Sequence, residues 1–139
     1  MPRLDRYHHC VRRALIKDGW EITHDPFTLG RGGVRIYIDL AADYVVRGNL
    51  EDVAIEVKVF SGNVRQVEFV CACGQYDFYR TILTEAGIDR ELYLALSQTA
   101  WESVQKREAF LVHLRRRNIH LLIFDVETEE VLQWIKQPN

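Results

Sequence analysis

Basic residues are not in excess in this sequence. Its 18 Lys and Arg residues face 20 Asp and Glu residues, which gives a formal net charge of −2. Proteins with strong non-specific affinity for nucleic acid usually carry a basic excess, so the composition argues weakly against that function. Local basic clusters do occur, at Arg12-Arg13, at Arg31 and Arg35, at Arg65, and at Arg115–Arg117. Such clusters are either solvated surfaces or contacts to a phosphate backbone.

Cysteine is also scarce. The three residues Cys10, Cys71 and Cys73 form an odd count, which excludes a disulfide framework as the basis of the fold. Cys71 and Cys73 do not predict a zinc site, because side chains two positions apart on a helix diverge by roughly 200°. We therefore expect all three thiols to lie in the core.

Long apolar runs, a signal peptide and internal repeats are all missing. The chain begins with charged residues and contains no apolar run of membrane length, so we expect no membrane association and a location in the bacterial cytoplasm. The glycines around Arg31 lack the strand-to-helix context of a phosphate-binding loop. With no linker or low-complexity segment, the sequence predicts one domain over residues 1–139.

What the sequence does contain is an apolar run, Val53–Phe60, that is typical of a buried strand. Glu56 and Lys58 interrupt it. Because side chains alternate along a strand, both residues point to one face and Val57 points to the other. Burying an acid and an amine side by side is costly unless they pair or bind something, so the pattern indicates either a buried ion pair or a functional site.

A second acid, Asp39, favours the functional interpretation. It ends another strand-like run, Val34–Ile38, and a short hairpin-like excursion would bring it to Glu56. Two carboxylates, with the Val57 carbonyl as a third ligand, form a hard-oxygen site suited to Mg²⁺ or Mn²⁺. Lys58 beside such a metal could orient a water or neutralise the transition state of phosphodiester hydrolysis.

Asp39 and the Glu56-Val57-Lys58 triplet resemble the PD-(D/E)xK nuclease superfamily, with Ile38 at the position of the name-giving proline. This resemblance implies a catalytic trio of Asp39, Glu56 and Lys58. It also implies that a first-helix residue, here His8, faces the metal. Resolvase-like relatives carry a functional glutamine in the helix after the Glu-x-Lys strand, which Gln75 matches, and Tyr79 lies on the same flank.

A narrower resemblance, to the cyanobacterial XisH family, spans nearly the whole chain. The segments that carry it are Lys17–Pro26, Tyr37–Ala42, Ile55–Lys58, Gly74–Arg80, Ile119–Asp125 and Trp134–Lys136. The resemblance implies an fdxN-element excision controlling factor that acts on DNA in a programmed excision, whose recombinase is a separate protein. It also implies an XisI-like partner, and homodimer formation is left open.

The remaining periodicity supplies the order of elements. Helices are predicted over Leu4–Lys17, Val64–Ala86 and Thr99–Arg117, and strands over Trp20–Thr23, Val34–Asp39, Val53–Phe60, Glu91–Leu96, Ile119–Phe124 and Glu130–Ile135. The apolar stripe of the second helix is predicted to contain Val67, Val70, Cys71, Gly74, Phe78 and Ile82. This order fits a restriction-endonuclease-like α/β fold with a mixed-sheet core flanked by helices.

The sequence is compatible with two functions. The first is a Mg²⁺-dependent endonuclease that contacts DNA through Arg31, Arg35 and Arg65. The second is a catalytically idle DNA-binding or protein-interaction module that works with an XisI-like partner. The intact trio favours the first function, and the family's description as a controlling factor favours the second.

Overall fold

The computed structural model describes residues 3–138. The elements follow the chain as α1 (Arg3–Lys17), β1 (Glu21–His24), β2 (Phe27–Arg31), β3 (Val34–Ile38), β4 (Leu40–Val46), β5 (Asn49–Val57), α2 (Gln66–Glu85), β6 (Glu91–Ser97), α3 (Gln98–Gln105), α4 (Glu108–Arg116), β7 (His120–Asp125) and β8 (Glu130–Ile135). Among these residues, no helix combines the length and the apolar character needed to cross a bilayer.

A six-stranded mixed sheet lies at the centre, in the order β1-β4-β5-β6-β7-β8. Strands β1, β4 and β5 are antiparallel neighbours, β5, β6 and β7 run parallel, and β8 returns antiparallel to β7. Strands β2 and β3 form a separate hairpin. This arrangement confirms the mixed α/β class and is consistent with a restriction-endonuclease-like core.

Each face of the sheet is covered by helices, because both faces carry apolar side chains. Helix α1 packs on one face, where Val11 and Leu15 meet Leu40, Ile55 and other strand residues. Helices α2, α3 and α4 cover the other face, together with Ile36 and Ile38 of β3. Strand β5 is therefore buried on both sides near its carboxyl end.

The structure contains two strands that the sequence did not predict, β2 and β4. In strand β4, Leu40 is followed by two alanines of low strand propensity, and Asp43 interrupts the apolar pattern. The Arg90 guanidinium compensates that charge, since its Nη1 lies 2.9 Å from Asp43 Oδ1. The predicted excursion between Asp39 and Glu56 is thus the β4–β5 hairpin itself, with β5 starting at Asn49 and ending at Val57.

The predicted apolar stripe of α2 is correct at Ile82, which is buried, and wrong along most of its length. Val67, Val70 and Phe78 are 57%, 58% and 47% exposed, and Cys71 is also exposed. The buried face carries Phe69 and Tyr76 instead. Phe69 stacks on Phe110 with ring centroids 3.9 Å apart, and the buried Tyr76 hydroxyl donates a hydrogen bond to the Leu92 carbonyl. Two apolar stripes compete on this helix, and the one that carries two aromatic rings, Phe69 and Tyr76, faces the core.

The third predicted helix is interrupted. Helix α3 ends at Gln105, and Arg107 has the extended backbone that precedes α4. The Arg107 guanidinium donates a hydrogen bond of 2.8 Å to the Val64 carbonyl, which ties this break to the start of α2. No glycine or proline marks this position, so the sequence predicts one continuous helix across it.

Candidate active site

Asp39 and Glu56 meet where β3 passes into β4. Asp39 occupies the bend between these strands, and the antiparallel pairing of Leu40 with Ile55 places it opposite Glu56. The Asp39 backbone N–H donates to Glu56 Oε1 at 3.3 Å, and the Val57 N–H donates to Asp39 Oδ2 at 2.7 Å. These reciprocal hydrogen bonds hold the two carboxylates side by side, as the sequence predicted.

Glu56 is buried although it is an acid. The residue is 6% exposed and lies on a strand between β4 and β6. The pKa of Glu56 is raised to about 8, chiefly by burial and then by the charge of Asp39, while Lys58 opposes the rise. The anionic form of this site is therefore unfavourable unless a positive charge enters it.

Lys58 supplies part of that positive charge. It follows the last residue of β5, and its backbone N–H still donates to the Ala95 carbonyl at 3.1 Å. Its Nζ lies 3.6 Å from Glu56 Oε2, and the side chain is 25% exposed. Glu56 and Lys58 thus share one face, as the alternation predicted, and the ammonium lies between the buried carboxylate and solvent.

His8 reaches the same site from α1. Its Nδ1 lies 3.9 Å from Asp39 Oδ1, and its Nε2 lies 2.6 Å from Asp25 Oδ1. Asp39 contributes most to raising the pKa of His8, burial opposes the rise, and Asp25 reinforces it through the shorter contact.

Asp25 is a site residue that the sequence interpretation missed. Arg12 Nη1 lies 2.7 Å from Asp25 Oδ2, so Asp25 bridges Arg12 and His8. Asp25 lies directly before Pro26, outside every predicted strand and helix. The spacing of His8 and Arg12 by four residues on one helix face was the available signal, since two basic groups so placed can share one acid.

Gln75 and Tyr79 lie together on α2, with Gln75 Nε2 donating to the Tyr79 hydroxyl at 3.0 Å. Burial raises the pKa of Tyr79, and the charges of Glu56 and then Asp39 add to that rise, which shows that the phenol lies within the field of the carboxylates. Gln75 Oε1 is buried and has no hydrogen-bond partner among the described residues.

A cavity of about 300 Å³ lies beside Lys58 and Gln75. Its lining includes Lys58, Glu68 and Gln75. The Ser61 hydroxyl, which donates to Glu68 at 2.6 Å, is the main cause of a Glu68 pKa lowered to about 2, so this wall of the cavity is anionic.

The three arginines predicted to contact DNA occupy two places. Arg31 and Arg35 lie exposed on the β2–β3 hairpin, and within residues 3–138 neither pairs with the carboxylates or with Lys58. Arg65 precedes α2, is 69% exposed, and lies 3.3 Å from Glu68 at the cavity lining. Only Arg65 therefore approaches the site directly.

The oxygen donors fit a small hard cation. Asp39 and Glu56 supply carboxylates, and Val57 follows Glu56 as the last residue of β5. In the part of the chain that the structure describes, no group of three or more His, Cys, Asp or Glu is placed to hold a metal. Mg²⁺ usually keeps several waters and takes only one or two carboxylates, so two carboxylates and a carbonyl suffice for it.

Comparison with known proteins identifies relatives along almost the entire chain. The XisH protein family profile matches residues 1–132. A crystal structure of an XisH family protein from Nostoc punctiforme is 37% identical, with a TM-score of 0.82, and the match covers 95% of this chain and 100% of that one. A crystal structure of an fdxN element excision controlling factor protein from Anabaena variabilis is 36% identical, with a TM-score of 0.83, covering 95% of this chain and 99% of that one.

No curated protein matches the chain. The family match nevertheless covers most of its length, and both solved structures exceed one third sequence identity over nearly their full lengths. The chain belongs to the XisH family.

Proposed function

We propose that this protein hydrolyses phosphodiester bonds in DNA with the help of Mg²⁺, during programmed excision of a DNA element. The observation that carries the proposal is the meeting of Asp39, Glu56 and Lys58 at one end of the sheet, with the Lys58 ammonium 3.6 Å from the Glu56 carboxylate. A buried acid beside a half-buried one, with one adjacent amine, is expensive as a purely structural feature. Its arrangement matches the needs of metal-assisted hydrolysis.

Each residue has a distinct task in this proposal. Asp39, Glu56 and the Val57 carbonyl would hold Mg²⁺, which polarises the scissile phosphate when bound. Lys58 positions the attacking water and offsets the negative charge that grows on the phosphate oxygens. The hydrogen bonds between Asp39, Glu56 and Val57 keep the two carboxylates in place before substrate arrives.

The supporting residues act around this centre. His8 contacts Asp39 from the side of α1 and is oriented by Asp25. Gln75 and Tyr79 line the side of α2, where the buried Gln75 oxygen offers an acceptor for a substrate group. Arg65 at the cavity, and Arg31 and Arg35 on the hairpin, would contact the phosphate backbone.

A second function is supported by the charge of the chain and by the name of a relative. The net charge of −2 is unusual for a protein that mainly binds DNA. The Anabaena variabilis relative is called a controlling factor. On this alternative the protein is a catalytically idle module that binds DNA or an XisI-like partner, and the net charge favours the protein partner.

Incubation of the purified protein with branched, nicked and linear DNA tests the proposal. We expect cleavage in the presence of Mg²⁺ or Mn²⁺, loss of cleavage in EDTA, and loss of cleavage in Asp39→Asn. Arg13→Ala is the control, because Arg13 pairs with Glu129 away from the site. Absence of metal-dependent cleavage on all three DNA forms would favour the accessory module.

A further inference from the structure

A second pocket, unrelated to the carboxylate site, lies at the far end of the β4–β5 hairpin. Its volume is about 230 Å³, and it is lined by Asp18, Trp20, Tyr44, Val46, Glu51 and Trp134. Tyr44 lies five residues beyond Asp39, which corresponds to about 16 Å along a strand. The pocket thus combines three aromatic rings with two carboxylates, at a distance from Glu56 and Lys58.

The aromatic rings are held in defined positions. Trp20 lies with its ring centroid 5.3 Å from Tyr44 and 5.2 Å from Trp134. Both indole N–H groups donate to the same oxygen, Asp18 Oδ2, at 3.3 Å from Trp20 and 3.2 Å from Trp134. One carboxylate therefore fixes the orientation of two indoles from opposite ends of the chain.

Gly19 lets Tyr44 close one side of the pocket. Its φ of +97° is a backbone conformation that favours glycine, and a Cβ there would come within 2.6 Å of Tyr44 Cε2. The tight turn after α1 and the close approach of the tyrosine ring therefore depend on the same residue.

The charge in the pocket is one-sided. Within residues 3–138, neither Asp18 nor Glu51 forms an ion pair, and no Lys or Arg side chain lies over the rings of Trp20, Tyr44 or Trp134. Aromatic faces carry negative electrostatic potential, and carboxylates add to it. Nothing in the described part of the chain supplies the cation that this combination attracts.

We propose that this pocket binds an organic cation, the guanidinium or ammonium group of a basic side chain presented by a partner protein. Stacked or caged aromatic rings with nearby acids are a recurrent way to recognise such groups. The surroundings favour a protein over a free amine. Val46 lines the pocket and is itself 38% exposed, so a protein that inserts a basic side chain would also cover this apolar surface, whereas a small amine would not.

The pocket can be tested with small probes and indole NMR signals. The chain has three tryptophans, and Trp101 serves as an internal control because it is buried in the core on the other side of the sheet. Titration with N-acetylargininamide or N-acetyllysinamide should shift the indole N–H signals of Trp20 and Trp134, with Trp101 unchanged. We expect millimolar dissociation constants, because only one side chain is presented. N-acetylcitrullinamide, a neutral analogue of the arginine probe, should shift none of them.

Two matched variants separate charge from shape. Glu51→Gln should weaken binding of the cationic probes roughly two- to five-fold without loss of folding, since Glu51 is exposed. Glu127→Gln, which removes an exposed acid outside the pocket, should leave binding unchanged. Equal shifts with the citrullinamide probe, or no shifts with either cation at tens of millimolar, would overturn the proposal. Tighter binding of choline than of both amino-acid amides would reject a side chain as the ligand.

Discussion

At the scale of single residues, the chemistry depends on how Glu56 is buried. The Asp39 N–H donates to its Oε1, and Lys58 Nζ lies 3.6 Å from its Oε2, yet these contacts do not offset the loss of water around the carboxylate. Its pKa is accordingly raised, from 4.5 to about 8. A cation at this position would reverse the penalty, and so the same residue links metal binding to stability.

Glu56→Gln should therefore stabilise the metal-free protein in a pH-dependent way. Between pH 4.5 and 8 the folded protein retains a proton on Glu56 that the unfolded chain releases, so the free energy of unfolding falls as the pH rises through this range. Glutamine does not titrate, so the free energy of unfolding of the variant lacks this dependence on pH. We expect the two proteins to be about equally stable near pH 5. At pH 8.5 the variant should be more stable, by on the order of 1–3 kcal/mol.

Denaturant unfolding in EDTA at the two pH values measures this difference, with Glu127→Gln as the exposed control. The same preparations test metal binding, because millimolar Mg²⁺ should raise the melting temperature of the wild type and not of Glu56→Gln. Equal pH profiles together with equal responses to Mg²⁺ would make Glu56 a structural acid.

Lys58→Ala should separate chemistry from binding. The ammonium lies beside a single carboxylate, where it can align one water, whereas affinity for DNA is shared among several basic residues. We expect cleavage to be abolished while the DNA dissociation constant stays within about three-fold, since one surface contact contributes little. Cleavage and gel-shift assays on one preparation measure both quantities. Loss of DNA binding or partner binding by Lys58→Ala, in a protein that never cleaves, would favour the accessory module.

At the scale of elements, α2 connects the site to the fold. Its inner face packs Phe69 and Tyr76 against the sheet and α4, and its flank presents Gln75 and Tyr79 to the carboxylates. The rotation of the helix about its axis decides which side chains reach the site. The same rotation leaves Val67, Val70 and Phe78 on the outside.

Paired substitutions on α2 test that rotation. Phe69→Ala should lower the free energy of unfolding by about 3–5 kcal/mol, because it removes a ring stacked on Phe110 in the core. Val70→Ser, on the outer face, should change it by less than about 0.5 kcal/mol. Denaturant unfolding of the two variants measures both changes in the free energy of unfolding. A larger loss for Val70→Ser than for Phe69→Ala would show that the other apolar stripe of the helix faces the core.

At the scale of the whole molecule, the small negative charge constrains how DNA can be bound. With 18 basic and 20 acidic residues, attraction has to come from local groups such as Arg31, Arg35 and Arg65 and not from the net field. Many basic residues are already engaged, as Arg13 is with Glu129 and Arg90 with Asp43. Few phosphates can therefore be neutralised at once.

The salt dependence of DNA binding should consequently be shallow. If Arg31, Arg35 and Arg65 each neutralise one phosphate, a plot of log K against log salt concentration has a slope of about −3 on duplex DNA. Each Arg→Ala change among the three should reduce the slope by about 1, and Arg13→Ala should leave it unchanged. Fluorescence anisotropy at several salt concentrations measures the slope, and an unchanged slope in all three variants would place the DNA surface elsewhere.

Several features follow from the sequence because they depend on neighbours along the chain. The period of two in a strand places Glu56 and Lys58 on one face independently of tertiary contacts. The contact between their side chains confirms this placement. The apolar periodicity of α1 and the buried run in β5 likewise reveal which elements form. The order of the predicted helices and strands also indicates the mixed α/β class of the fold.

Other features were decided only by tertiary structure, because they depend on how distant segments pack. The approach of Asp39 to Glu56 required the pairing of β4 with β5, and β4 itself went unpredicted. Asp25 meets His8 across 17 residues through a 2.6 Å contact; the spacing of His8 and Arg12 indicates that they can share an acid, but only tertiary structure decides which acid it is. The two apolar stripes of α2 are equivalent by periodicity alone, and only the space beside Phe110 and Leu92 selects the one that bears Phe69 and Tyr76. Local periodicity thus specifies which side chains share a face, whereas packing against distant partners decides what that face meets.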